Sequence, residues 1–370
     1  MTRLGNAHDT PDRADPPLPR PAPALERVRA YTVPQPDPTL RLKLDMNEGP
    51  RPPEALADLV RRIAPAGVNT YPDQAALEAK IAARHGVDAG RVVAGAGLDD
   101  ILSRLCQAYA APGRRVIISR PTFAMIPHYL ALSGCDVSEI DWWSGPYPLE
   151  RTLDAITDDT SLVFVVTPNN PTGLTATEAE LRALSRRLAE VGGMLAVDLA
   201  YTEYADRDLT RTVLGLPNAA PLRTLSKAWG LAGLRVGYGL FPSAVAAELR
   251  KLGQPFPVTS ASAAIASAWL DEGPDHVRRT ADRVRHERDR LAALLRAAGA
   301  EPLAGQANFV LARFPAGSHA ETFAAALRAR GIAIRRYTAP EELSACVRIT
   351  CPADHDDFEH LAMEIKELSL

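Results

Sequence analysis

The sequence predicts an α/β protein: a large domain with a mostly parallel central sheet flanked by helices, plus a smaller C-terminal α+β domain. Three observations carry that expectation. Ser161-Leu162-Val163-Phe164-Val165-Val166 is a continuous apolar run, as expected of a strand covered on both faces. A helical stripe (Leu181, Leu184, Leu188, Val191) and a second apolar run, Met194-Leu195-Ala196-Val197-Asp198, follow it with short connections. Strand, helix, strand in that order is the signature of a parallel layer. Beyond a long charged stretch the rhythm changes to shorter, mixed elements, which points to a second compact unit.

Taken in order, residues 1–24 are rich in Pro, Asp and Arg and read as a mobile tail. Residues 25–47 read as an N-terminal arm, extended with a short helix, in which Leu42 to Met46 alternates like a strand. The large domain is expected over 48–272. Helices are predicted at Pro53–Ile63 and Ala75–His85, the second stopped by Gly86. A strand at Arg91–Ala94 runs into Gly95-Ala96-Gly97, and a helix follows from Asp99 to Ala110. Arg115–Ser119 is a strand halted by Pro121, and Ile126–Leu132 a helix. Thr177-Glu178-Ala179-Glu180 has the spacing of a capping box, and Gly192 ends its helix. Helices are expected near Ser243–Leu252 and Ser260–Leu270. Residues 273–370 read as a linking helix (Asp275–Ala298) and the small domain. That domain is expected to run strand (Asn308–Phe314), helix (Ala320–Arg330), strand (Ala333–Arg336), strand (Cys346–Thr350), helix (Asp356–Leu368).

Composition limits the function. The chain has 370 residues, 46% hydrophobic, with a net charge of −3. That supports a full core and argues against a nucleic-acid or anionic-membrane partner. No apolar run approaches the roughly 20 residues of a membrane helix. The N-terminus has no signal-peptide core. Four cysteines show neither a CxxC pair nor metal-ligand spacing with histidine, so reduced thiols, a cytoplasmic location and no metal are expected.

The chemistry centres on Lys227. It lies among small and apolar residues, after the strand-like Leu222–Leu225 and before Gly230, Gly233 and Gly237. A desolvated lysine loses its proton readily and becomes a nucleophile, as needed to hold pyridoxal phosphate in a Schiff base. A surface lysine beside a Gly-rich turn is the alternative. Gly95 to Asp100 joins a strand to a helix start, which is either an anion site or a plain turn. Thr167-Pro168-Asn169-Asn170-Pro171-Thr172-Gly173 leaves a buried strand at its C-terminal end, where α/β sheets place ligands. Asn170 is suited to a ring oxygen or a carboxylate there, unless it only satisfies local backbone. Asp198 ends an apolar strand and needs a positive partner, either a protonated pyridine nitrogen or a basic side chain. Tyr201, three residues on, is placed to reach the ring hydroxyl. Arg348, within the strand Val347–Thr350, suits bidentate capture of a carboxylate or phosphate, or a structural salt bridge.

The ordered motifs NEG, YPD, GAGLDD, PTF, TPNNPTG, DLAY, LSKAWGLAGLRVGY, NFVLARF and VRIT together resemble the fold-type I PLP-dependent aminotransferases, and most closely the histidinol-phosphate aminotransferase branch. The resemblance runs from about Leu44 to the C-terminus. It implies that Lys227 binds the cofactor covalently and then moves the α-proton. Asp198 would pair with the pyridine nitrogen, and Tyr201 and Asn170 with the ring oxygen. Leu98, Asp99, Ser226 and Arg235 would hold the phosphate, and Phe123 would stack on the ring. Tyr71 would reach the phosphate in the other subunit, so a homodimer is implied. Asn47, Arg335 and Arg348 would meet the substrate.

The implied reaction is ping-pong transfer of an amino group between an amino acid or amine, such as histidinol phosphate, and a 2-oxo acid acceptor. Several positions differ from the common family pattern: Leu98, where a Ser or Thr usually adds a hydroxyl to the phosphate cup, Asn47-Glu48-Gly49-Pro50, Phe123, Leu199 within Asp198–Tyr201, and the extra cation Arg336, so that most of the differences fall on the substrate side. A specialised biosynthetic relative fits that distribution. Decarboxylation, elimination with cyclisation, or oxidation would use the same cofactor apparatus and are the alternatives. A pyridoxal-binding regulator would need a DNA-binding module, which the Pro-rich N-terminal segment does not resemble.

Overall fold

The computed structural model describes residues 21–28, 30, 37–63 and 69–368. Most of the expected tail, residues 1–20, lies outside the described residues. The arm begins with a 3-10 turn, Pro23–Arg27. The strands are β1 Leu42–Leu44, β2 Val92–Ala96, β3 Arg115–Arg120, β4 Asp136–Asp141, β5 Thr160–Val166, β6 Met194–Asp198, β7 Ala219–Thr224, β8 Val236–Leu240, β9 Glu301–Pro302, β10 Phe309–Arg313, β11 Ile332–Arg336 and β12 Cys346–Thr350. The helices are α1 Glu54–Ile63, α2 Gln74–His85, α3 Leu98–Tyr109, α4 Met125–Ser133, α5 Leu149–Ala155, α6 Glu178–Glu190, α7 Thr210–Leu214, α8 Ser243–Leu252, α9 Ser260–Glu272, α10 Pro274–Ala297, α11 Gly317–Ala329 and α12 His355–Leu368.

Seven strands form the main sheet in the order β2-β8-β7-β6-β5-β3-β4. The run from β7 to β4 is parallel, and β8 is antiparallel to both of its neighbours. Every residue of β5, β6, β7 and β8 is buried, which is why those segments are mostly apolar; the polar exceptions, Thr160, Ser161, Asp198, Arg223 and Thr224, lie at or near strand ends. The capping box at α6 forms as its spacing predicts: Thr177 accepts from the Glu180 N–H, and Glu180 accepts from the Thr177 N–H. Among the described residues no helix is long and apolar enough to cross a membrane.

The second sheet, β1-β11-β12-β10-β9, is antiparallel apart from the β1–β11 pair. Its helices α11 and α12 complete the expected α+β unit. The arm's strand β1 belongs to this sheet, with Leu42 opposite Ile332 and Leu44 opposite Ile334. Local pattern predicts a strand at this point but not its partner.

Two strands of the main sheet were not anticipated. β4 is a sheet edge with a polar sequence and exposed positions, so its apolar alternation is faint. β8 contains two glycines, which read as turn signals. The structure gives Gly237 another reason: a Cβ there would lie 2.3 Å from the Leu98 nitrogen, because the start of α3 rests directly on the strand.

Candidate active site

The site forms at the C-terminal ends of the parallel strands. β6 ends in Asp198, and the turn after it carries Tyr201. β5 leads into the Thr167–Gly173 loop with Asn170. β7 is followed by Ser226 and Lys227. The start of α3 supplies Leu98 and Asp99, while Arg235 stands just before β8. From the second sheet, Arg348 comes from β12 and Arg335 from β11.

Lys227 is the centre. Its Nζ donates to the Met46 carbonyl at 3.2 Å and lies 5.9 Å from the centroid of the Tyr201 ring. Burial, reinforced by the Arg348 charge, lowers its pKa to about 8. Taken whole, the residue is only partly exposed. Asp198 is 3% exposed. Burial raises its pKa to about 7, against one hydrogen bond from the Ala200 N–H at 2.9 Å. Among the described residues it forms no ion pair. A buried carboxylate left in that state is costly. Its surroundings therefore suit a cationic group bound from outside the chain.

The Tyr201 hydroxyl receives hydrogen bonds from Asn47 Nδ2 at 3.0 Å and Asn170 Nδ2 at 3.4 Å. Its ring meets Phe309 edge-on at 5.3 Å. Burial raises the phenol to about 12, so it stays protonated and can donate. Asn170 is shared: its Oδ1 accepts from Arg348 Nη1 at 2.6 Å. Arg348 Nη2 donates to the Asp45 carbonyl at 2.7 Å.

Arg335 and Arg348 are direct partners across the antiparallel β11–β12 pair. Side chains so placed share a face, and like charges there repel. Arg348 contacts an amide oxygen and a carbonyl, and Arg335 lies 5.8 Å from the centroid of the Tyr337 ring. Neither meets a carboxylate among the described residues. Two such guanidiniums side by side form a receptor for an anion.

A further guanidinium lies at the start of α3. Arg235 sits in the left-handed region, φ 53°, and lies flat over Gly97, where a Cβ would come within 2.4 Å of its Nη2. Its Nη2 pairs with Asp99 at 3.1 Å. Ser226 Oγ is 3.0 Å from Thr224 Oγ1. With the free N–H groups at the start of α3, these groups suit a phosphate.

Most residues expected at the site converge on it. Phe123 is half-buried against the core beside β3. Tyr71 does not join the site within one chain. It is 80% exposed and stacks on Phe256 at 4.4 Å, an aromatic pair on the surface. Asn47, expected to meet substrate, is 1% exposed, and its amide is engaged by Tyr201 and Thr350.

Sequence reasoning missed other participants. Asp45 and Met46, which precede the expected Asn47 in the arm, touch Arg348 and Lys227, while Asn47 itself touches Tyr201. Two of these contacts use backbone carbonyls, which carry no sequence signal. Glu203 accepts from both Arg223 (2.6 Å) and the Trp229 indole (2.9 Å), tying the turn after Tyr201 to the loop after Lys227. A Glu two residues past a site Tyr, with a buried Arg in the neighbouring strand, was a usable signal.

The family model described as aminotransferase class I and II matches residues 42–365. An aromatic amino acid aminotransferase of Rhodococcus jostii (strain RHA1) is 38% identical over 365 residues, covering 95% of this chain and 98% of the relative. A histidinol-phosphate aminotransferase of Ruegeria sp. (strain TM1040) is 35% identical, covering 83% of this chain and 85% of its own. Among solved structures, histidinol-phosphate aminotransferase from Sinorhizobium meliloti in complex with pyridoxal-5'-phosphate superposes with a TM-score of 0.83 at 24% identity, covering 95% of this chain and 97% of that one. The match spans both sheets and every strand end that builds the site, and the chain belongs to the class I and II aminotransferases.

Proposed function

We propose that the protein is a pyridoxal phosphate-dependent aminotransferase that moves an amino group between an amino acid or amine and a 2-oxo acid by a ping-pong mechanism. The carrying observation is the pair Lys227 and Asp198: a buried amine that gives up its proton easily, near a buried carboxylate with no cationic side chain bonded to it. The residues present fit the cofactor. Asp198 suits its pyridinium nitrogen, Tyr201 and Asn170 its ring oxygen, and Phe123 its ring face. The start of α3 at Leu98 and Asp99, with Ser226 and Arg235, suits its phosphate.

When bound, the cofactor supplies an electron sink for the bond broken at the substrate's Cα. The side chains supply the rest. Lys227 takes a proton from Cα and returns it, which its lowered pKa favours near neutral pH. Arg348, with Arg335 beside it, orients the substrate by its carboxylate or phosphate and so decides which bond at Cα faces the sink. Burial around Tyr201 and Asp198 excludes water and strengthens every charge interaction in the site.

Relatives named for aromatic amino acids and for histidinol phosphate frame the donor: an amine or amino acid with a planar ring and an anionic group. The exposed Tyr71–Phe256 pair supports a homodimer in which Tyr71 completes the cofactor site of the second copy. Residues 48–272 would hold the cofactor, and 273–370 with the arm would present the substrate arginines. A cytoplasmic location fits the reduced cysteines.

The test is a half-reaction. Holoprotein given histidinol phosphate or an aromatic amino acid, with no acceptor, should release oxo product up to one equivalent per protomer and then stop. A 2-oxo acid should restart it. Product formed continuously without acceptor, or carbon dioxide in place of an oxo acid, would overturn the reading.

A further inference from the structure

Asn47 is an outlier. It is not glycine, yet its φ is +53°, and it is buried to 1% exposure. Left-handed backbone is costly for a residue with a Cβ, although asparagine tolerates it best. It persists where the surroundings over-determine it, and such places gather at functional sites.

Here the surroundings are a closed ring of hydrogen bonds. The Asn47 N–H donates to Thr350 Oγ1 at 3.2 Å, and Thr350 Oγ1 donates to Asn47 Oδ1 at 3.1 Å. One hydroxyl therefore grips the residue by its backbone and its side chain together. Asn308 Nδ2 closes the other side, reaching the carbonyls of Asn47 and Glu48 at 3.3 Å each. Thr350 and Asn308 are 3% and 1% exposed, so water does not compete. With Oδ1 fixed, the amide has one direction left, and Nδ2 points at the Tyr201 hydroxyl, 3.0 Å away.

We propose that Thr350 is a positioning residue: it orients Asn47 so that the Asn47 amide, rather than meeting substrate, donates to Tyr201 and frees that hydroxyl's own proton for the cofactor's ring oxygen. The inference rests on the cofactor reading above. A phenol that receives a hydrogen bond is the stronger donor, because the two bonds polarise each other. A stronger donor at the ring oxygen draws electron density away from the proton shared with the nearby Lys227 nitrogen. That proton is then lost at lower pH. Loss of the Thr350 hydroxyl should therefore raise the pH midpoint of the bound cofactor's visible absorption. The charged and titratable groups acting on Tyr201 are Arg348, Asp198 and Tyr337, with the Lys227 ammonium over its ring. The substitutions below alter none of them.

The experiment compares spectroscopic pH titrations of holoproteins. Thr350→Val keeps the β-branched shape in the strand and deletes the hydroxyl, while Thr350→Ser restores it. Asn47→Gly removes the amide without straining the backbone. The valine and glycine variants should each raise the midpoint by about 0.5–1 pH unit, the size expected of one lost hydrogen bond. The serine variant should titrate like the wild type. Combining valine and glycine should give the glycine shift and no more, because Thr350 acts through Asn47. An unshifted midpoint in Asn47→Gly would overturn the proposal even if Thr350→Val failed to fold. Additive shifts in the double variant would overturn it too, as would a serine variant that behaves like valine. If the wild-type protein shows no cofactor absorption, the cofactor reading fails and this inference falls with it.

Discussion

Lys227 should destabilise the cofactor-free protein, and the size of the effect follows from its surroundings. Its pKa falls from 10.5 to about 8, a difference of 2.5 units (10.5 − 8), chiefly through burial. At about 1.4 kcal/mol per unit, the folded state carries a penalty of about 3 kcal/mol at pH 7. The folded pKa lies below the unfolded one, so the folded chain binds fewer protons. The penalty is therefore full below pH 8 and fades as pH rises to 10.5. Lys227→Met removes the amine and keeps the length of the side chain. It also removes the 3.2 Å bond to the Met46 carbonyl, worth about 1 kcal/mol. The apoprotein variant should thus be more stable than the wild type by about 2 kcal/mol at pH 7. That advantage should vanish by about pH 10.5, where only the lost hydrogen bond remains. Urea midpoints of both apoproteins, at equal protomer concentration across that pH range, test this. A variant less stable at pH 7, or a difference that does not change with pH, would refute the reasoning.

Three further outcomes are expected. Gly49→Ala puts a Cβ 2.1 Å from the Lys227 carbonyl and 3.0 Å from the Gly230 Cα, so the loop carrying the lysine must move. Cofactor affinity should fall about 5- to 150-fold, measured by titrating pyridoxal phosphate into apoprotein, for strain of about 1–3 kcal/mol. Glu203→Gln weakens the buried contact to Arg223 and the Trp229 indole while Asp208 still reaches Arg223. The loss should be near the lower end of the ~3–5 kcal/mol typical of a broken buried pair, read as a lower urea midpoint. Arg348→Lys loses the planar fork that holds Asn170 Oδ1 and the Asp45 carbonyl. kcat/KM for carboxylate donors should fall by about two orders of magnitude, consistent with truncating a desolvated charge partner; an unchanged value would exclude Arg348 from substrate binding.

The main sheet is legible in the sequence because burial on both faces leaves a strong one-dimensional trace. β5 and β6 each carry a continuous apolar run, Leu162–Val166 and Met194–Val197, and α6 advertises its start through Thr177 and Glu180. β8 hides because close packing on α3 demands glycine where strand propensity would ask for bulk. Asp198 and Lys227 stand out for a related reason: each is a charged residue next to an apolar strand. The orientation of Asn47 is not legible. It depends on Thr350, 303 residues away, and on a backbone angle no local pattern announces. The contributions of Asp45 and Met46 are invisible for a simpler reason, since any residue has a carbonyl.

The pairing of β1 with β11 has a consequence for how the molecule is made. Leu42 and Ile332 are 290 positions apart (332 − 42). On a ribosome the first strand emerges long before the edge that receives it. β2 to β8 can associate while the remainder is still being synthesised, because their contacts close within that stretch. Met46 and Asn47 are anchored only when β11 and β12 have been synthesised and paired. Catalytic competence is therefore among the last properties the nascent chain acquires. A polypeptide truncated before residue 332 would keep its lysine but lose the scaffold that aims it.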